Sequence, residues 1–325
     1  MILYGRQHEG GVSKSALSTV ATLNTLASLD LAPRLMITFH AGAQRYERAA
    51  TRLSKSWIAL GAEHYAASVR LEDLPTLPNV TARDVDFIRS HQSQAFGFWI
   101  WKPLIIEYFA ATLVPGLRLC YIDAGCEINR ANRSKDRLDD YWDIASSQSV
   151  AAFESDFLAC EYTKSDIYTA MKFEPDPYLL QLAATCIFLV SGSGSSTFCS
   201  EWLSYCRQSD YHLIDDSPSH HVRDRTLCEH RYDQSVMSAL YTHRGLASLP
   251  NEIYFGHGYW KWRNEGKQFP IWASRNTRGL PLYAWRRALA WIGWIRYEMQ
   301  RTSKQLERLH RAKVSSGREL RPDNA

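Results

Sequence analysis

With 325 residues, 45% of them hydrophobic and 22% charged, the chain is long enough for one large α/β domain with a tail or for two smaller domains. A formal net charge of +4, with the basic excess gathered toward the C-terminus, points to an anionic surface and away from a nucleic-acid groove. Seven singly scattered cysteines without a CxxC pair give no disulfide framework, so a reduced, cytoplasmic compartment is expected.

The start, Met1 to His8, has no charged region leading into an apolar stretch, and nowhere does an apolar run reach the ~18 residues of a membrane span. Glu9 to Ser15 lacks the spacer and the terminal Gly-Lys-Ser of a phosphate loop and reads as a flexible lead into a helix. Leu35 to Phe39 reads as a buried strand, Tyr46 to Leu60 as a helix ending at Gly61, and His64 to Val69 as a second strand that completes a βαβ unit. Pro75 and Pro78 mark a loop, and Phe87 and Ile88 lie on the next helix. Pro103 is placed to open a helix from Leu104 to Leu113, stopped by Pro115-Gly116. Further strands are expected at Leu117 to Ile122, Val150 to Phe153 and Thr185 to Val190, with helices at Ser165 to Met171, Ser196 to Cys206 and Asp233 to Tyr241. A polar, His-rich loop surrounds His220 and His221. Alternating strands and helices argue for a mostly parallel sheet covered on both faces.

Ligands of open α/β sheets gather beyond the carboxyl ends of the strands, and Asp123 comes directly after the apolar run Leu119-Cys120-Tyr121-Ile122. Asp123 and Glu127, separated by a glycine that lets a ligand approach the backbone, are natural oxygen ligands for a Mg²⁺ or Mn²⁺ that neutralises a diphosphate. The alternative is a plain turn with Glu127 in solvent. The aromatic run Phe96-Gly97-Phe98-Trp99-Ile100-Trp101-Lys102-Pro103 offers flat rings to a base or sugar, and Lys102 offers a point charge to phosphate. Core packing is the competing role for Trp99 and Trp101; Lys102 is harder to place in a core. Asp233, after His230-Arg231, is either a helix N-cap or a carboxylate facing an acceptor hydroxyl as base or orienting group.

Three segments together, Gly97 to Pro103, Tyr121-Ile122-Asp123-Ala124-Gly125 and His230-Arg231-Tyr232-Asp233-Gln234-Ser235, resemble a bacterial family of GT-A-type glycosyltransferases of polysaccharide biosynthesis. The similarity runs from about Leu35 to about Lys261 and takes in Glu161-Tyr162-Thr163-Lys164. It implies a GT-A-like α/β fold and a hexosyltransferase-type enzyme using a nucleotide-sugar donor and a glycan or lipid-linked acceptor. By that resemblance Asp123 and Asp233 are catalytic. Gly97, Trp101, Lys102, Asp123, Gly125 and Lys261 bind the donor, and Glu161, Lys164, Arg231 and Gln234 bind the acceptor. Asp123, Glu127 and His257 hold the metal. The chain departs from the usual Asp-x-Asp motif, because Gly125 stands where the second aspartate would be. A surface ion pair is the other reading of Glu161 and Lys164, and a structural histidine the other reading of His257.

The tail carries Leu282, Trp285, Leu289, Ile292, Ile295 and Met299 at helical spacing, widened by Trp291 and Trp294 and flanked by Arg286, Arg287, Arg296 and Arg301. Such a composition suits a helix lying on an anionic bilayer, or one that covers the domain or pairs in a dimer. The expected organisation is a lead segment (1–33), a catalytic domain (34–280) and a basic aromatic helical tail (281–325), peripheral on the inner face of the cell membrane. The rival readings are a metal-dependent nucleotidyltransferase or phosphohydrolase, and a non-catalytic membrane-associated scaffold that binds sugar nucleotides.

Overall fold

The computed structural model describes residues 1–5, 8–29, 33–130, 132–220, 227–254 and 266–275. The chain divides into two units, residues 1–254 with 266–279, and residues 255–265 with 280–325. The second unit, and with it His257, Lys261 and the aromatic tail, lies outside the described residues.

The N-terminal hairpin pairs β1 (Ile2–Gly5) with β2 (His8–Ser13). Residues Glu9 to Ser13, expected as a flexible lead, are therefore strand. Gly11, which signals flexibility here, serves close approach, since a Cβ on it would sit 2.7 Å from the Ile2 and Tyr4 side chains. Helix α1 (Ala16–Ser28) comes next, its first turn capped by the Ser15 hydroxyl accepting from the Ser18 amide at 3.1 Å.

The expected βαβ unit forms from β3 (Arg34–His40), α2 (Gln44–Ile58) and β4 (His64–Arg70), with β3 and β4 parallel. Helix α2 buries Ala49, Ala50, Leu53, Trp57 and Ile58, a helical stripe against the sheet. Helix α3 (Ala82–Ser90) opens on a reciprocal capping box between Thr81 and Asp84. Helix α4 (Trp101–Thr112) is buried nearly all round, and β5 (Arg118–Ile122) and the short β6 (Glu127–Ile128) lead to α5 (Asn132–Gln148). Then come β7 (Val150–Leu158), α6 (Ala159–Tyr162), α7 (Ser165–Ala170), β8 (Leu180–Val190), α8 (Ser193–Tyr211), α9 (Tyr232–His243) and β9 (Ile271–Trp272).

The main sheet has the order β2-β1-β4-β3-β5-β8-β7, and β6 pairs with β9 in a separate ribbon. The mostly parallel sheet expected from the sequence is instead mixed. Only β4, β3 and β5 run parallel; β1 pairs antiparallel with β4, β8 with β5, and β7 with β8. A strand buried on both faces has the same apolar run whichever way it points, so direction leaves no mark on the pattern. Successive side chains of β3 and β5 alternate between two cores. Leu35, Ile37, Leu119 and Tyr121 join the cluster under α4, α8 and α9, while Met36, Cys120 and Ile122 join the one under α2 and α5. Among the described residues no helix is long and apolar enough to cross a membrane.

Candidate active site

Strand β5 ends at Ile122, and two backbone hydrogen bonds shape the turn beyond it. The Asp123 amide donates to the Thr185 carbonyl at 2.9 Å, continuing the ladder to β8, and the Cys126 amide donates back to the Asp123 carbonyl at 2.9 Å. The carboxylate is therefore presented at the strand end on a tight turn. Its Oδ1 accepts from the Tyr121 hydroxyl at 2.7 Å. Burial, reinforced by Asp123, pushes the Tyr121 phenol far up, so that it remains a donor.

Lys102, in the first turn of α4, brings its ammonium to 3.6 Å from Asp123 Oδ1 and 3.6 Å from Asp233 Oδ2, the latter from the first turn of α9. Its side chain is 5% exposed and that of Asp233 4%, whereas Asp123 is 33% exposed. Burial alone would lower the lysine pKa, but the two carboxylates outweigh it and hold it above the usual value. Burial lifts the Asp233 carboxyl to about 7 against the pull of Lys102, and Asp123 adds to the rise. Asp233 Oδ2 has no hydrogen-bond partner. One ammonium thus faces two carboxylates, with a surplus negative charge whenever Asp233 is ionised.

A strained passage sets this geometry. Ala95, Phe96, Gly97, Phe98 and Trp99 all adopt positive φ, and for the four that are not glycine this conformation costs roughly 1 kcal/mol or more each. Internal aromatic contacts hold it. Trp99 stacks on Tyr232 at 5.4 Å, Phe98 lies 5.2 Å from the same ring, and the Trp101 indole donates to the Ala95 carbonyl at 3.1 Å. Tyr232 precedes Asp233 and itself has positive φ, so the aromatic run ties the loop before Lys102 to the start of α9.

The residues singled out in the sequence fall into three groups. Lys102, Asp123 and Asp233 are brought together. Trp101 is a packing residue, 6% exposed and stacked on Phe39 at 4.0 Å, and Gly97 is buried where a Cβ would press on the Ile88 backbone at 3.2 Å. Gly125 lies in the turn after Asp123, its carbonyl accepting from Ser274. Asp233 is not an N-cap, because Arg231 holds that position. Its side chain is buried and lies 3.6 Å from the Lys102 ammonium. Lys164 is not a surface ion pair. It is 2% exposed and its ammonium donates to the His212 carbonyl at 3.0 Å and to Asp215 at 2.9 Å. Gln234 joins Gln181 and the Ala184 amide, Arg231 pairs with Glu229 over the Phe157 and Tyr162 rings, and the Glu161 carbonyl accepts from the Cys228 amide.

Of the expected metal set, Asp123 and Glu127 are described and His257 lies outside the described residues. Glu127 lies on β6 opposite Trp272, and no third His, Cys, Asp or Glu ligand atom joins the two among the described residues. The cation facing Asp123 and Asp233 is Lys102, so a divalent ion between these two carboxylates would lie within about 4 Å of an ammonium and be repelled by it. Between Asp123 and Asp233 an ammonium, and not a metal, supplies the positive charge. The one described group with metal-ligand composition is elsewhere, at Asp166, His212 and His220.

Sequence reasoning missed a basic groove. Arg48, Arg52 and Lys55 share one face of α2 and, with Arg130, Gln44, Glu47, Thr51 and Ser56, line an open cavity of about 540 Å³. It abuts the Asp123 turn, because Arg52 donates to the Cys126 carbonyl at 3.4 Å and Ala124 packs with Ala49 and Ala50. The four- and three-residue spacing of those cations was the available signal.

No protein-family model matches the chain, and no curated protein matches it. Among solved structures it is similar to the apo form of WbbM, a bifunctional glycosyltransferase, at 11% identity and a TM-score of 0.44, covering 77% of this chain and 46% of that one. It is similar to apo mouse xyloside xylosyltransferase 1 at 10% identity and a TM-score of 0.41, covering 77% and 100%. A glycosyltransferase involved in glycosylation of the major capsid of PBCV-1 gives 10% identity and a TM-score of 0.38, covering 77% and 94%. The chain spans about half the length of WbbM. At these identities and TM-scores the likenesses carry no conclusion about chemistry, which falls to the side chains at the end of β5.

Proposed function

We propose that the chain is a GT-A-like glycosyltransferase that moves a hexosyl group from a nucleoside-diphosphate donor to a glycan or lipid-linked acceptor of cell-surface polysaccharide. The observation that carries this is the Lys102 ammonium held between Asp123 and Asp233 at the carboxyl end of β5, beside a groove lined by Arg48, Arg52, Lys55 and Arg130. The groove takes the diphosphate. Its size lies within the range of small-ligand sites, and its cations stabilise the charge that grows on the departing phosphate. Asp123, the more exposed of the two carboxylates, accepts the acceptor hydroxyl's proton as the C1–O(phosphate) bond breaks and the new C1–O bond forms. Lys102 fixes its orientation, and Asp233 positions Lys102 from behind.

The test is turnover with a panel of nucleoside-diphosphate sugars and glycan acceptors. The expected product is free nucleoside diphosphate, with Asp123→Asn at least about a hundredfold slower at an unchanged melting temperature. Release of phosphate or pyrophosphate instead would make the protein a phosphohydrolase or nucleotidyltransferase, and donor binding without turnover would make it a scaffold. The proposal extends to the tail on composition: Trp285, Trp291, Trp294 and the neighbouring arginines would attach the enzyme reversibly to anionic lipid on the inner face of the membrane. Full-length protein should sediment with anionic liposomes at low salt and lose this on truncation before Pro281. Failure to sediment removes the membrane from the proposal.

A further inference from the structure

On the loop after α8, His212 Nε2 lies 3.4 Å from Asp166 Oδ1, yet neither that nitrogen nor Asp166 Oδ2 has a hydrogen-bond partner. Both atoms are buried, and an unpartnered pair of this kind is costly unless something lies between them. The surrounding bonds decide which nitrogen of His212 carries the proton. Ser217 has one hydroxyl hydrogen, and it goes to Asp215 Oδ1, which also accepts from Lys164 at 2.9 Å. Ser217 Oγ therefore receives its 2.7 Å contact with His212 as acceptor, from Nδ1–H. Nε2, the other ring nitrogen, is then left 3.4 Å from Asp166 Oδ1. A proton on Nε2 or a metal cation would bridge the two. The third member, His220, stacks on His212 with centroids 4.3 Å apart, and its own amide donates to Asp166 Oδ1 at 3.1 Å. The ligand atoms of the three residues lie within 4.8 Å of one another, against an edge of about 3.3–3.4 Å for a tetrahedral first shell, so inward side-chain rotation is needed to close it.

We infer that Asp166, His212 and His220 form a zinc site. Two imidazole nitrogens and one carboxylate suit a borderline metal such as Zn²⁺ better than Mg²⁺ or Ca²⁺, which prefer all-oxygen shells. The Ser217–Asp215–Lys164 chain behind His212 fixes its tautomer in the way outer-shell partners do for histidine ligands. The site pins the 212–220 loop to α7. The same loop bonds His230 Nε2 through the Leu213 carbonyl at 2.9 Å, and lends Asp216 to the Tyr232 hydroxyl. It therefore braces the residues ahead of Asp233. The site stands whether or not the protein transfers sugars.

The experiment uses the full chain, stripped with chelator and dialysed, then titrated with zinc chloride by calorimetry, metal analysis and thermal melting. About one zinc per chain should bind and raise the melting temperature, while Mg²⁺ and Ca²⁺ leave it unchanged. His220→Ala removes an exposed ligand without touching the core, and should weaken zinc by about tenfold or more and abolish the thermal response. His212→Gln should do the same, and Cys228→Ser, which removes the exposed thiol, should change nothing. The inference is overturned if zinc leaves the melting temperature where it was, if His220→Ala binds as tightly as wild type, or if Cys228→Ser alone abolishes binding. An ordinary ion pair between Asp166 and a protonated His212 would produce the first of these results.

Discussion

Replacing Asp233 by Asn should make the protein more stable at alkaline pH while weakening its activity. The carboxyl is fully buried and its pKa is raised from 3.8 to about 7. Below the unfolded value both states hold the proton and the group contributes nothing. Between the two values the folded state keeps a proton that the unfolded chain has released, so stability falls as pH rises. Above the folded value both states are ionised and the cost is complete. A rise of about three units corresponds to on the order of 4 kcal/mol, of which roughly half to two-thirds accumulates between about pH 5 and pH 8. Asn keeps the shape, leaves Lys102 paired with Asp123, and does not titrate. Urea denaturation of both proteins at these two pH values should therefore show Asp233→Asn gaining on wild type by roughly 2–3 kcal/mol as pH rises. Comparing two pH values removes the pH-independent effect of the substitution. Parallel stability curves for the two proteins would refute the burial argument and leave Asp233 an ordinary ionised partner of Lys102.

The reverse change, Lys102→Met, leaves Asp123 and Asp233 facing each other with no counter-charge, and should cost about 3–5 kcal/mol in denaturation along with most of the activity. Under the proposed function, a nucleoside diphosphate in the basic groove adds negative charge beside the triad and should draw a proton onto Asp233. Calorimetry near pH 8 in buffers of different ionisation enthalpy would read this as proton uptake, absent in Asp233→Asn. Arg52→Gln should weaken that binding several-fold and flatten its salt dependence with little effect on melting, because Arg52 is a groove cation at the Asp123 turn. Gly97→Ala combines φ of +81° with a Cβ 3.2 Å from the Ile88 Cα, and should destabilise by about 1–2 kcal/mol in thermal unfolding.

How far the fold and the site are legible in the sequence depends on the range of the interactions involved. The βαβ unit from Arg34 to Arg70 is written in local periodicity, and the position of Asp123 at a strand end can be read from the apolar run before it. Strand direction is not local. Thr185 to Val190 reads the same in either sense, and only pairing of Leu119 with Leu189 and Tyr121 with Ile187 reveals that β8 runs against β5. The aromatic run illustrates a second limit. Rings at Phe98, Trp99 and Trp101 announce stacking without naming the partner, and the partners are Tyr232 and Phe39. Lys164 shows a third, because a lysine buried against Asp215 and the His212 carbonyl looks like any surface lysine until the 212–217 loop is folded over it. Lys102 is the exception. A charge wedged between Trp101 and Pro103 in an otherwise apolar stretch has to find its counter-charges from elsewhere in the chain, and strand β5 and helix α9 supply one each. That conflict between local pattern and charge is the feature of the sequence most directly tied to the site. Its resolution is one ammonium shared by two carboxylates of unequal exposure.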